Sequence, residues 1–258
     1  MQILSHRGFW HTPKEKNSRA AIQRSFKEGF GLETDVRDLL FEGESQIVVS
    51  HDPVTSHEDV LTCRELVNIA RRHSVDAHPY REEGGPRLAQ FVGDVGEMVA
   101  PYVSSNILRA PAPIAINVKA DGLAPQVAQL MSELDSDQTP WFAFDMSVPE
   151  MVRYLDLGIP VFTRLSETEM VPPLYDHAQG VWVDSFMKMP WYDVGVLQRQ
   201  LDRRKNVCLV SPELHGHPDE TREFVWSMIL KGGLAEAENF MLCTDFPQHA
   251  REFFRGER

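Results

Sequence analysis

Eight short apolar, β-rich runs recur along this chain, and most are separated from the next by a segment long enough for one helix. That rhythm belongs to βα units forming a parallel sheet, and it constrains the fold more than any other feature. Strands are predicted over residues 2–5, 31–36, 114–118, 141–144, 160–163, 180–183, 206–210 and 240–243. Helices are predicted over 18–28, 123–134, 149–156, 192–203 and 219–230, several with apolar residues at helical spacing. Eight parallel strands suffice to close a cylinder, so the expected fold is α/β, a (β/α)8 TIM barrel. A length of 258 residues suits one such domain over residues 1–258. Residues 53–113 break the rhythm and read as an insertion after the second strand. It holds helix-like stretches at 62–73 and 88–103 and a turn-rich stretch at 78–86. Loops that follow barrel strands lie on the catalytic face, so this insertion is expected to shape the substrate entrance.

Charge narrows the function classes. A formal net charge of -12 opposes nucleic-acid binding, because phosphates attract surfaces rich in Lys and Arg. A local cationic cluster or a metal still permits a phosphorylated small-molecule substrate. Cys63, Cys208 and Cys243 lie far apart and show no paired metal-ligand spacing, so they are expected as buried thiols. The sequence has no positive segment with an apolar run at its start and no apolar span long enough to cross a membrane. A cytoplasmic location is therefore expected. No oligomeric state follows from the sequence.

The chemistry-bearing residues gather early. They lie in SHRGFW at residues 5–10, KNSRAAIQRSFKEGFGLETDVRD at 16–38 and IVVSHDP at 47–53. Successive strand side chains alternate faces, so Glu33 and Asp35 point the same way and Thr34 points the other. Two carboxylates so placed can share a divalent cation, or form a solvated acidic turn. His6 and His51 each end an apolar run, where a buried strand would surface. A neutral imidazole can accept a proton from an attacking hydroxyl, and a protonated one can donate to a leaving oxygen. The remaining eight histidines, at 11, 57, 73, 78, 177, 215, 217 and 249, read as structural.

Together these segments resemble the glycerophosphodiester phosphodiesterase family, which is related to phosphatidylinositol-specific phospholipase C barrels. The resemblance rests on His6-Arg7-Gly8, Glu33-x-Asp35 and His51-Asp52. Asn17 with Ala20–Ala21, and the Thr244–Asp245–Pro247 ending, add to it. It covers the first fifty or so residues and about the last twenty, with a looser middle. The resemblance implies a metal-dependent phosphodiesterase acting on a glycerol- or polyol-type phosphodiester. It further implies that Glu33 and Asp35 hold Mg²⁺ or Ca²⁺, that His6 and His51 form the acid/base pair, and that Arg7 meets the phosphate. The reaction it implies begins with a neighbouring substrate hydroxyl attacking phosphorus to give a cyclic phosphate. For Arg7, an ion pair with Glu33 or Asp35 is the other reading.

The segment IAINVKADGL at 114–123 departs from that pattern. Family members usually carry Glu two residues before the Lys, as a further metal ligand, where this chain has Asn117. An amide oxygen can coordinate but brings no charge. Lys119 shares the inward face with Asn117 and can reach the phosphate. Asn117 equally permits a barrel without catalysis that binds a phosphorylated ligand, with Arg7 or Lys119 as the permanent countercharge; a lyase that stops at the cyclic product is a third reading. Ser211, Glu213 and His215 fall at the predicted rim, where they could read the alcohol group or supply a carboxylate, or equally be a solvated loop. Asp145, Asp184 and Asp245 follow further strands and suggest an acidic mouth, and Trp182, Phe186, Trp191 and Tyr192 divide between an apolar wall and the core.

Overall fold

The computed structural model describes residues 1–41, 43–55, 60–76, 113–134, 139–187 and 189–256. The predicted stretches at 78–86 and 88–103 lie outside the described residues. Among the described residues there are ten strands: β1 (Gln2–His6), β2 (Gly31–Phe41), β3 (Glu44–Val49), β4 (Leu61–Thr62), β5 (Ile114–Val118), β6 (Trp141–Phe144), β7 (Phe162–Leu165), β8 (Gly180–Val183), β9 (Asn206–Val210) and β10 (Phe240–Thr244). Helices α1 (Arg19–Lys27), α2 (Cys63–Asp76), α3 (Ala124–Met131), α4 (Val148–Asp156), α5 (Val194–Asp202), α6 (Asp219–Lys231) and α7 (Pro247–Arg255) accompany them. Ser18, Ser147 and Asp193 start α1, α4 and α5 by accepting a hydrogen bond from the backbone N–H three residues on.

Eight of these strands form the cylinder. β1 pairs in parallel with β2 on one side and β10 on the other. β2 continues to β5 and β5 to β6, while β10 continues through β9 and β8 to β7. The two arcs meet where Ala143 bridges Val161 in parallel and its N–H donates to the Pro160 carbonyl at 2.9 Å. The expected (β/α)8 barrel is thereby closed. β2 runs five residues past its predicted end and folds back antiparallel with β3, which carries β4 on its other edge. This hairpin stands above the cylinder and delivers His51 to its rim.

Strand alternation separates an inner core from an outer one. On β5, Ala115 packs inside the cylinder, whereas Ile114, Ile116 and Val118 face the helices. β10 does the same with Met241 and Cys243 inside and Phe240 and Leu242 outside. The interior is filled by aromatic pairs, Phe142 on Phe162 at 3.7 Å and Phe144 on Trp182 at 3.8 Å between ring centroids. It is therefore a packed core and not a pore. All three cysteines are free and buried, as expected, and burial pushes the Cys63 thiol up to about 12. Near the strands' C-terminal ends the inward series turns polar: Leu4 gives way to His6, Ala115 to Asn117, Phe162 to Arg164 and Trp182 to Asp184. No helix among the described residues is long and apolar enough to cross a membrane.

Candidate active site

The backbone at the mouth is held in uncommon conformations. Among the described residues, five non-glycine residues have positive φ, and Arg7 (56°), Asn17 (61°) and Asp145 (70°) are three of them. Such conformations cost about 1–3 kcal/mol each and persist where surrounding contacts enforce them. Gly8 follows at φ 88°, and a Cβ there would stand 2.8 Å from the Ala21 Cβ. Only glycine lets the chain leave β1 so close to α1. The turn aims the Arg7 N–H at Glu33 Oε2 (3.1 Å) and brings its Nε to 2.9 Å from Asp35 Oδ2.

His6 is gripped from behind. Its Nδ1 lies 2.6 Å from Asp245 Oδ1, and Lys16 Nζ donates to Asp245 Oδ2 at 3.1 Å. A carboxylate only accepts, so Nδ1 carries the hydrogen and Nε2 is left for chemistry, 3.9 Å from Glu33 Oε2. Burial pushes the Asp245 carboxyl up, but its bonds to His6 and Lys16 outweigh this and hold it below its ordinary value. Glu213 fixes Asp245 in turn, because its Oε1 accepts from the Thr244 hydroxyl and from the Asp245 N–H at 3.2 Å. Its Oε2 accepts from Ser211, whose hydroxyl is buried and receives the Trp226 indole N–H. Ser211 and Glu213 thus brace β9 against β10, which replaces the expectation that they face an alcohol group.

Asp35 is the meeting point of the other wall. Its Oδ2 accepts from Asn17 Nδ2 at 2.8 Å, and Lys119 Nζ stands 3.5 Å from Oδ1 and 3.3 Å from Asp145 Oδ2. Arg7 therefore has the ion pair that the sequence left open. Glu33 is buried; burial pushes its carboxyl up and Asp35 adds to the rise, against the pull of His6 and Arg7. Strand register sets Asn117 beside Asp35. Of the seven sequence candidates, the structure gathers His6, Arg7, Glu33, Asp35, Asn117 and Lys119. His51 stays apart on the hairpin rim, 44% exposed, with Nδ1 2.9 Å from Asp52 Oδ1. Its backbone neighbour Ser50 nonetheless donates to the Asp35 carbonyl at 3.1 Å, which places the residue at the edge of the same mouth.

Asp35 Oδ1 and Asn117 Oδ1 are buried and have no hydrogen-bond partner. With Glu33 they make an oxygen-only donor set on one inward face, which fits a hard cation such as Mg²⁺ or Ca²⁺. Among the described residues no group of three or more His, Cys, Asp or Glu side chains is placed to hold a metal ion.

The wall made by β7, β8 and β9 differs from what the sequence suggested. Asp145 and Asp184 are not a free acidic rim, since Arg164 pairs with Asp145 and lies 3.6 Å from Asp184, and His215 Nε2 lies 2.8 Å from Asp184 Oδ1. His215 is thus part of the mouth and not only a structural residue. Trp182 and Tyr192 are buried in the core, whereas Phe186 is 42% exposed. Sequence reading missed Arg164 and the role of Asp245. The available signal was the strand period, because Arg164 lies two residues past Phe162 on the same face and Asp245 two past Cys243.

Fold and site together define a (β/α)8 barrel whose mouth sets a histidine–carboxylate pair beside two cations and a cluster of inward-facing carboxylate and amide oxygens. No family model and no curated protein matches the chain. Its fold is similar to that of a candidate glycerophosphodiester phosphodiesterase from Galdieria sulphuraria, at TM-score 0.63 and 11% identity over 98% of this chain and 97% of the other. It is also similar to a glycerophosphodiester phosphodiesterase from Agrobacterium tumefaciens, at TM-score 0.53 and 14% identity over 99% of each chain. At such identities the likeness establishes the fold, and it spans the loosely patterned middle of the sequence as well as the two ends.

Proposed function

We propose that this chain is a phosphodiesterase that cleaves a glycerol- or polyol-type phosphodiester by histidine acid/base chemistry through a cyclic phosphate. The observation that carries the reading is His6, held at Nδ1 by Asp245 with Nε2 turned toward a mouth that also holds Arg7 and Lys119. The fold shared with two phosphodiesterase barrels supports it.

His6 Nε2 takes the proton from a substrate hydroxyl next to the phosphate. That oxygen bonds to phosphorus, the bond to the leaving alcohol breaks, and His51 gives the departing oxygen its proton. Water then opens the ring with the two histidines in reversed roles. The exposed rim position of His51 suits a donor recharged by solvent. Arg7 and Lys119 exchange Asp35 for the non-bridging oxygens, since both cations lie within reach of that one carboxylate. Glu33, Asp35 and Asn117 would hold Mg²⁺ or Ca²⁺, which supplies further charge neutralisation at phosphorus when bound.

Phosphorus NMR of the chain with a panel of phosphodiesters, with and without divalent cation, tests this. A cyclic ester followed by a monoester is expected, and an unchanged diester under every condition overturns the reading. A second reading has an observation of its own: Arg7 and Lys119 both neutralise Asp35, as in a barrel that binds phosphoryl ligands without cleaving them. Accumulation of the cyclic ester alone marks a lyase.

A further inference from the structure

Every other crossover between cylinder strands carries a helix, whereas residues 166–179, all among the described residues, join β7 to β8 without one. The outer ring therefore has a gap between α4 and α5. A groove of about 520 Å³ remains there against α5, running from Leu165 at the end of β7 to Arg203 just past the end of α5. Its two ends differ in character. Met170 and Val171 line the end near the mouth and are 59% and 90% exposed, while His177 and Arg203 border the far end. The connection that carries the apolar pair is not slack. The Pro173 carbonyl accepts from the Thr163 hydroxyl at 2.8 Å, Lys205 Nζ donates to the Tyr175 and Ala178 carbonyls at 2.7 and 2.5 Å, and the Tyr175 hydroxyl donates to Gln200 Oε1 at 2.6 Å. Apolar surface is thus held in water on an anchored backbone.

We infer that this groove binds one single-chain anionic amphiphile, a fatty acid being the simplest, with its alkyl chain along Met170, Val171 and Leu174 and its carboxylate on Arg203. The groove lies on the barrel's flank, apart from the phosphoryl chemistry, and takes this ligand whether or not the chain is a phosphodiesterase. Size excludes a bulkier occupant. A helix as long as the nine residues of α5 would be about 10 Å across and about 14 Å long, roughly twice the groove's volume, whereas about 520 Å³ is usual for a small-molecule site. Charge then selects the head. Among the described residues Arg203 meets no carboxylate, its guanidinium standing 5.9 Å from the Tyr175 ring, and Lys205 Nζ lies 4.7 Å from the same ring. Asp176 is the one carboxylate in the lining among the described residues, set against Arg203, Lys205 and the ionisable His177. In a chain of net charge -12, an unpaired cation at the end of an apolar strip is completed by an anion with an apolar tail.

The test is calorimetric titration of the full chain with laurate, below its micellar concentration and in phosphate buffer, so that an anion already competes for Arg7 and Lys119. One equivalent is expected to bind, and dodecyltrimethylammonium should bind about tenfold or more weakly. Octanoate should also trail laurate by about tenfold or more, since each buried methylene is worth about fourfold. Arg203→Glu should weaken laurate by about tenfold or more and turn the preference to the cationic amphiphile. Val171→Asp should weaken laurate severalfold. Both positions are exposed, so thermal unfolding of the two variants is expected to stay near native, which makes a lost affinity local. Absent laurate binding, several equivalents, equal affinity for the two dodecyl amphiphiles, or a laurate affinity that either variant leaves unchanged overturns the site.

Discussion

The two walls of the mouth are built on opposite electrostatic plans. On the β1, β2 and β5 wall, two cations crowd one buried carboxylate while buried oxygens of Asp35 and Asn117 lack a hydrogen-bond partner. On the β7–β9 wall the order is reversed, with one cation, Arg164, among the carboxylates of Asp145, Asp184 and Glu169, and here too Arg164 Nε and Asp145 Oδ1 are buried without a hydrogen-bond partner. Buried polar atoms without a hydrogen bond cost stability, and both walls carry them, so what separates the walls is which sign of charge is in excess. Under the proposed function the cation-rich first wall is the one that would meet the phosphate.

The sharpest way to break that division is at the histidines. His6→Ala is expected to lower turnover by about a hundredfold or more, the usual loss for a positioned acid or base, with thermal unfolding near native. His51→Ala should match it. Near-native turnover in either variant removes that residue from the reaction, and a loss confined to His6 would make the rim histidine a bystander. Next comes the backbone of the first wall. Gly8→Ala forces an L side chain into φ 88° and into contact with Ala21, and should cost about 1–3 kcal/mol in denaturant unfolding. An unchanged midpoint would mean that the turn has room to relax.

Asp245→Asn probes the support behind His6 and should reduce kcat by about tenfold while leaving KM nearly alone, as for the loss of an orienting carboxylate. The same variant has a pH signature. The Asp245 carboxyl is depressed in the folded chain, so its contribution is present above its unfolded value and is lost as pH falls through the folded one. The stability gap between native and Asp245→Asn should therefore close in acid below about pH 4. A gap that persists there rules out the ionised Asp245–His6 pair as its source. The smallest effect is expected at Asn117. Asn117→Glu adds an anionic oxygen to the pocket and should tighten Mg²⁺ or Ca²⁺ binding severalfold by calorimetry, without a matching rise in turnover. No cation binding in the native chain and none gained in the variant would dismiss the metal pocket.

The first wall was legible because its parts are local. Glu33 and Asp35 lie two apart on one strand, and strand period alone puts them on one face with Thr34 turned away. The same period placed Asn117 with Lys119. The sequence did not show which partner each group would take, because those partners are remote in the chain. Asp245 is 239 residues from His6, and His215 is 31 from Asp184. An acidic residue after a strand looks the same in sequence whether it stays free or meets Arg164. Helix starts read from apolar spacing, at residues 18 and 149, fall within one residue of the observed Arg19 and Val148, where Ser18 and Ser147 supply the caps. The extension of β2 to Phe41 was not readable, since pairing with β3 decides where it stops.

The seam between β6 and β7 gives the two walls a mechanical meaning. One bridge and one backbone hydrogen bond join the arcs there, and the stacked rings of Phe142 and Phe162 straddle the joint. The cylinder is thus joined by an aromatic stack beside a short bridge on one side and by a full ladder between β1 and β10 on the other. Removing either ring would therefore weaken the cylinder where backbone pairing contributes least.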